Sequence, residues 1–269
     1  MKLRYDPYQI FRGSKTPAGL YARQKWLEEA DTPEWQKDFQ EKIKVLLANQ
    51  SANGSWHQST SATIAHLFGL HLTLRLTNNL VNNSLKWLLG RISLNTDGIS
   101  VSSTSDNSGT ELTGLPFVSS RPAMFITGAT LFLATIFDRS NDPAILVLYR
   151  WLSQEGFNRE HLRTDVASLH NVFRAMVVHP VFAKADSTAK TVEIYAELQT
   201  EYGDWGTGLP FYQTLNALAH LNSTQAEVQL ESAFTRLINT QNSDGTWGHR
   251  DIEWNTFLSI HALKNKGLL

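Results

Sequence analysis

The stretch Gln241-Asn242-Ser243-Asp244-Gly245-Thr246-Trp247 decides the fold, because its skeleton, Gln-x3-Gly-x-Trp, occurs twice more, at Gln50/Gly54/Trp56 and Gln199/Gly203/Trp205. Such self-similarity marks a repeat architecture. Each copy closes an apolar helical run: Ile43, Leu46 and Leu47 precede Gln50, Ile194, Tyr195 and Leu198 precede Gln199, and Phe234, Leu237 and Ile238 precede Gln241. The last carbonyls of a helix lack intrahelical partners. A Gln amide placed there is expected to donate to them, while the Gly takes a left-handed turn. The Trp is expected to close over the helix end, its indole N–H needing an acceptor. A new apolar pattern follows every Trp, so the unit reads helix, tight turn, helix, and tight turns join antiparallel neighbours.

Outward from these turns, residues 1–16 read as an irregular arm, and Thr16-Pro17 as the start of a helix to about Glu29. Helices follow at about 34–49, 59–76 and 78–92. The repeat then breaks: Asn95-Thr96-Asp97-Gly98-Ile99 is a turn without its Gln or Trp, and residues 95–120 form a long Ser/Thr/Gly-rich loop. Loops of that length in a compact domain are usually functional or disordered, and a lid is the expected role. Thr113-Gly114-Leu115-Pro116-Phe117 recurs as Thr207-Gly208-Leu209-Pro210-Phe211, each copy expected to shape the entrance to an inner helix, at 121–137 and 210–221. Helices at 142–154, 164–178, 184–199, 225–241 and 251–265 complete one all-α domain over 1–269.

The Gln-to-Trp motif resembles the QW repeat of squalene and oxidosqualene cyclases, and is similar to turns in protein prenyltransferase β subunits. The family pattern places a small residue eight before the Gln and an aliphatic one four before. The last copy supplies Ala233 and Leu237, the first only Leu46. The resemblance implies an α/α toroid of about five to six antiparallel hairpins, in inner and outer layers, around a central cavity. It further implies an isoprenoid or other apolar small molecule as the partner in that cavity; no cofactor is expected.

Composition narrows the classes. The 269 residues carry a formal net charge of −1 and no cysteine, which excludes disulfides, thiolate catalysis and Cys-ligated zinc and gives no basic footprint for nucleic acid. The N-terminus has no apolar leader core and no run reaches the length of a membrane span, so the expectation is a cytoplasmic protein that is not transmembrane. Phosphate-loop, dinucleotide and nucleophile-elbow motifs are missing, which argues against nucleotide enzymes and serine hydrolases.

In a toroid the residues just after each turn face the cavity. Phe117, Arg121, Met124, Phe211, Tyr212 and Trp254 are therefore the candidate substrate-binding residues, aromatic with a polar minority as apolar pockets are. His57, Ser59, Thr60, Arg163 and Ser168 occupy similar positions. The Asp-x-Asp-Asp acid of the cyclases has no counterpart, and Asp165 is the one comparably placed candidate catalytic acid. Its alternative reading is a helix N-terminal charge. The prenyltransferase Asp-x-Cys zinc motif is replaced by Asp251-Ile252-Glu253, which with His249 is a weak metal candidate. No metal is expected, since acids in a first helical turn complement its dipole. Two other classes fit the fold: a non-catalytic interaction module, and a carbohydrate-active α/α barrel, for which Asp165 would pair with Asp251 or Glu253.

Overall fold

Side chains of Thr16, Ser59, Asn78, Asp142, Asp165 and Ser223 each accept a hydrogen bond from a backbone N–H two or three residues on, and so start six helices. The computed structural model describes residues 2–102, 112–157, 160 and 164–269. It is all-α, with eleven α-helices among those residues: α1 Pro17–Lys25, α2 Pro33–Leu47, α3 Thr60–Thr73, α4 Asn79–Leu89, α5 Pro122–Ile136, α6 Pro143–Trp151, α7 Val166–Met176, α8 Asp186–Leu198, α9 Phe211–Leu218, α10 Thr224–Asn239 and α11 Ile252–Asn265. No helix is long and apolar enough to cross a membrane among the described residues. The chain divides into two compact units, residues 46–191 and residues 1–45 with 192–269.

In the unit 46–191, α5 buries eleven of its fifteen residues. With no polar face left, it packs on every side, against α3, α4, α6 and α7. Gly128 permits the closest approach: a Cβ there would lie 2.5 Å from the Asn171 carbonyl oxygen of α7. One turn further along both helices, Arg174 stands over the Phe132 ring, so α5 and α7 run parallel. Between α4 and α5 the structure departs from the sequence reading. The helix expected to reach Ile92 ends at Leu89, and the bare turn is a β-hairpin of β1 Ile92–Asn95 and β2 Gly98–Val101, with Ile92 opposite Val101 and Asn95 opposite Gly98. The alternation Ile-Ser-Leu-Asn and Gly-Ile-Ser-Val has period two and outweighs helix continuation. Residues 103–111 of the expected lid lie outside the described residues.

In the other unit, α1 lies beside α11 and parallel to it. Glu253, early in α11, accepts from Ser14 and Thr16 at the start of α1, and Phe257 and His261 meet Tyr21 at 5.3 and 6.5 Å. On its other side α11 receives Asn216 of α9, whose Nδ2 donates to the Leu258 carbonyl at 3.2 Å. Arg23, 3% exposed, is neutralised by Glu29 at 2.7 Å and Asp38 at 2.8 Å. The N-terminal arm contains a single 3₁₀ turn, Gln9–Phe11, but it is pinned in place.

The three turns show what pins it. Trp56, Trp205 and Trp247 are 0, 2 and 0% exposed, and two of the indoles, not the Gln amides, cap the preceding helix: Trp56 Nε1 donates to the Ala48 carbonyl at 2.9 Å and Trp247 Nε1 to that of Leu237 at 2.7 Å. Trp205 donates instead to Gln229 Oε1 at 3.1 Å. The Gln amides are freed to reach a second element. Gln50 Nε2 donates to the Leu80 carbonyl at 3.2 Å and to Ser84 Oγ at 2.7 Å on α4, and Gln199 Nε2 to the Gln229 carbonyl at 2.9 Å on α10. Gln241 Nε2 donates to the Tyr5 carbonyl, at 3.0 Å. The turn glycines repeat the pattern, with φ of 94°, 79° and 87°. A Cβ would collide with Asn83 of α4, with Ser232 of α10, and with Asp6 of the arm. Residues 4–7 thus do for the last turn what a following helix does for the first two.

Candidate functional site

The sequence candidates fall into two groups, one in each unit. Phe117, Arg121, Met124 and Asp165 belong to residues 46–191, and Phe211, Tyr212, His249, Asp251, Glu253 and Trp254 to the other unit. Arg163 lies outside the described residues.

Asp165 is the N-cap of α7. One carboxylate oxygen accepts from the Ser168 N–H at 3.0 Å, and the other accepts from the Ser168 hydroxyl at 2.7 Å and Arg121 Nε at 2.8 Å. Burial alone would raise this carboxyl. The Ser168 hydroxyl and N–H and the Arg121 guanidinium outweigh it and hold the group below the ordinary carboxylate range. Asp165 is therefore an anion at neutral pH, in the geometry of a helix start, and has no proton to donate. Ser59 serves α3 in the same way, accepting from the Ala62 N–H at 3.0 Å.

Phe117 is buried, edge-on to Phe125 at 6.1 Å and to Phe132 at 5.5 Å, and Met124 is buried in the first turn of α5. The segment carrying Phe117 is held by a residue that sequence reasoning passed over. Asn171 on α7, 0% exposed, accepts from the Val118 N–H at 2.9 Å and donates to the Val118 carbonyl at 2.8 Å. The two Thr-Gly-Leu-Pro-Phe copies consequently differ. Phe211 opens α9 directly, whereas Phe117 stands five residues before α5.

In the other unit, Phe211 and Tyr212 meet edge-on at 5.1 Å, with the Arg236 guanidinium 5.5 Å over Phe211. Burial raises the Tyr212 phenol, only partly opposed by Arg236. Glu253 spends both oxygens on Ser14, each at 3.0 Å, and on Thr16. Asp251 precedes α11 with a left-handed φ of 48°, and His249 is exposed. Among the described residues no three His, Asp or Glu lie close enough together to hold a metal ion.

Trp254 begins a ladder whose spacing was visible in the sequence but whose faces were not. Trp254, Phe257 and His261 sit at i, i+3 and i+7 on α11, stacked at 5.2 and 6.0 Å. Trp26, at the C-terminal end of α1, stacks on Phe257 at 5.1 Å, Tyr21 meets it edge-on, and His220, two residues past α9, lies 5.6 Å from His261. The result is a continuous cluster of rings, anchored on the buried Trp254 and Phe257 and half-exposed at Tyr21, Trp26, His220 and His261. Such a cluster is suited to apolar, shape-driven binding.

No family model and no curated protein matches this chain. Among solved structures it is similar to a protein from Actinoplanes, with a TM-score of 0.59 and 16% identity, over 96% of this chain and 90% of that one. At that identity the likeness is one of fold alone.

Proposed function

We propose that this chain is a terpenoid-cyclase-like or prenyltransferase-like protein that binds an isoprenoid or similarly apolar small molecule. The observation that carries the proposal is the aromatic cluster on α11. Tyr21, Trp26 and His261 pack on Phe257 of the buried Trp254–Phe257 stack and stay half-exposed, and the apolar area of Tyr21 and Trp26 is what a ligand would remove from water. Binding is the activity supported. Asp165 and Glu253 are both committed to helix starts, which leaves neither as the protonating acid of a cyclase nor as half of a glycosidase pair.

The test is thermal unfolding with farnesol and geranylgeraniol. A ligand that binds only the folded state raises its stability with concentration. Wild type should shift upward. Tyr21→Asp, which places a charge at a half-exposed position of the cluster, should abolish the shift. If neither alcohol stabilises wild type, or the shift survives Tyr21→Asp unchanged, the isoprenoid reading fails and the interaction-module reading gains.

A further inference from the structure

In the unit 46–191, Arg174 occupies the last turn of α7 with only 5% of its surface exposed. Neither Nε nor Nη1 meets a hydrogen-bond acceptor, and Arg174 takes part in none of the ion pairs among the described residues. Its counterpart Arg23, equally buried in the other unit, has two carboxylates. Burial pulls the Arg174 guanidinium down to about 9, so it still carries its charge at neutral pH. The Phe132 ring centroid lies 5.2 Å from Arg174 Cζ. Phe132 in turn meets Phe117 at 5.5 Å and Phe68 at 6.1 Å. A cation–π contact offsets only part of the cost of burying an unpaired charge. A guanidinium buried with two of its three nitrogens lacking an acceptor is an exception that calls for an explanation.

We propose that Arg174 is an anion-binding residue for the carboxylate of a small apolar acid, whose hydrocarbon body lies against Phe132 and Phe68. The charge count sets the class. One guanidinium, with His170 a turn earlier kept neutral by burial and by Arg174 itself, balances one negative charge. A phosphate ester or diphosphate would bring more charge than the site offsets. The planar fork of a guanidinium matches a carboxylate, and the flanking phenylalanines reject a fully hydrated anion. The inference stands apart from the isoprenoid reading, which concerns the other unit.

The test uses the full chain with octanoate, 1-octanol, acetate and inorganic phosphate, comparing wild type with Arg174→Met and Arg174→Lys. Octanoate should raise the melting temperature of wild type, and acetate and phosphate should not. Arg174→Met should unfold at a higher temperature than wild type without ligand, because an uncompensated charge has left the interior. It should also bind octanoate about tenfold or more weakly, as expected for a lost charge-assisted hydrogen bond, while Arg174→Lys keeps part of the response. The proposal is overturned if octanoate gives no shift, if octanol or acetate reproduces it, or if the shift persists in Arg174→Met. A ligand-free Arg174→Met that is less stable than wild type also overturns it, since the guanidinium would then be a structural cation.

Discussion

The side-chain amide of Gln241 pairs with the peptide of Tyr5 as one strand residue pairs with another: Oε1 accepts from the Tyr5 N–H at 3.1 Å and Nε2 donates to the Tyr5 carbonyl at 3.0 Å. Gln241→Leu would leave both Tyr5 groups unmatched, at a cost of about 2–3 kcal/mol. Removing residues 2–7 should cost a similar amount. In urea unfolding the two changes together should lose much less than their sum, because each breaks the same joint; full additivity would show that arm and turn are independent.

Trp247 combines packing with a hydrogen bond, and two substitutions separate them. Trp247→Ala should lose about 3–5 kcal/mol as a large buried aromatic. Trp247→Phe keeps much of the volume but leaves the Leu237 carbonyl without its indole donor, for an added cost of about 1 kcal/mol. Denaturant midpoints of the two variants provide the comparison, and a loss below about 1 kcal/mol for the Ala variant would contradict the packing role.

Gly203→Ala should be more harmful than a glycine-to-alanine change at an open position. The added Cβ would lie 2.5 Å from the Ser232 carbonyl oxygen, on a backbone with φ of 79°, so the loss should exceed about 1 kcal/mol. Gly267→Ala, where φ is 64° and nothing lies within 4 Å, is the control: it carries backbone strain without the collision. Thermal melts should place Gly203→Ala well below it.

His170 gives stability a pH dependence of known sign. Burial, with the Arg174 charge beside it, holds its folded pKa near 3 against an ordinary 6.5. Below pH 6.5 the unfolded chain therefore binds a proton that the folded chain refuses. The stabilising contribution is complete above about pH 6.5 and is lost as pH falls toward 3. Between about pH 6 and 4, wild type should lose about 1.4 kcal/mol per pH unit more than His170→Gln. Urea unfolding at several pH values reads the difference in slope, and parallel slopes would contradict it.

Asp165→Ala should destabilise by about 1 kcal/mol as a lost N-cap. Arg121→Gln should cost less, because Arg121 is 46% exposed and its ion pair is screened. Far-UV circular dichroism during urea unfolding measures both.

The helices were legible because their signals are local. Thr16-Pro17, Asp142-Pro143 and the apolar periodicities placed helix starts within about two residues, and the Gln-x3-Gly-x-Trp skeleton located three turns whose backbone bonds coincide: the N–H of Gly54, Gly203 and Gly245 donates to Ser51, Thr200 and Asn242 at 2.9, 3.0 and 2.9 Å. The division of labour within each turn was not legible, because it depends on which element lies alongside. The second turn shows this. Asn53 and Asp244 each accept a backbone N–H two residues on, but Tyr202 holds that position in the second copy, 68% exposed, and Asp204 braces the turn through Thr200 instead. Site residues fared unevenly for the same reason. Trp254 sits within the cluster, but Tyr21, Trp26 and His220 join it from elsewhere in the chain. Arg174 sits unmarked within Val172-Phe173-Arg174-Ala175-Met176, where only the missing partner makes it distinctive.

The reach of the turn glutamines restricts how such a chain can change in length. Gln50 meets Leu80, and Gln199 meets Gln229, each thirty residues downstream. An insertion or deletion of one or two residues inside α3 or α9 would rotate the following helix and carry its acceptor carbonyl away from the waiting amide. Indels are therefore excluded from the interior of these segments. Lineages carrying this turn should gain or lose sequence in whole hairpins, by duplication or excision, with the N-terminal arm re-docking on whichever turn comes last.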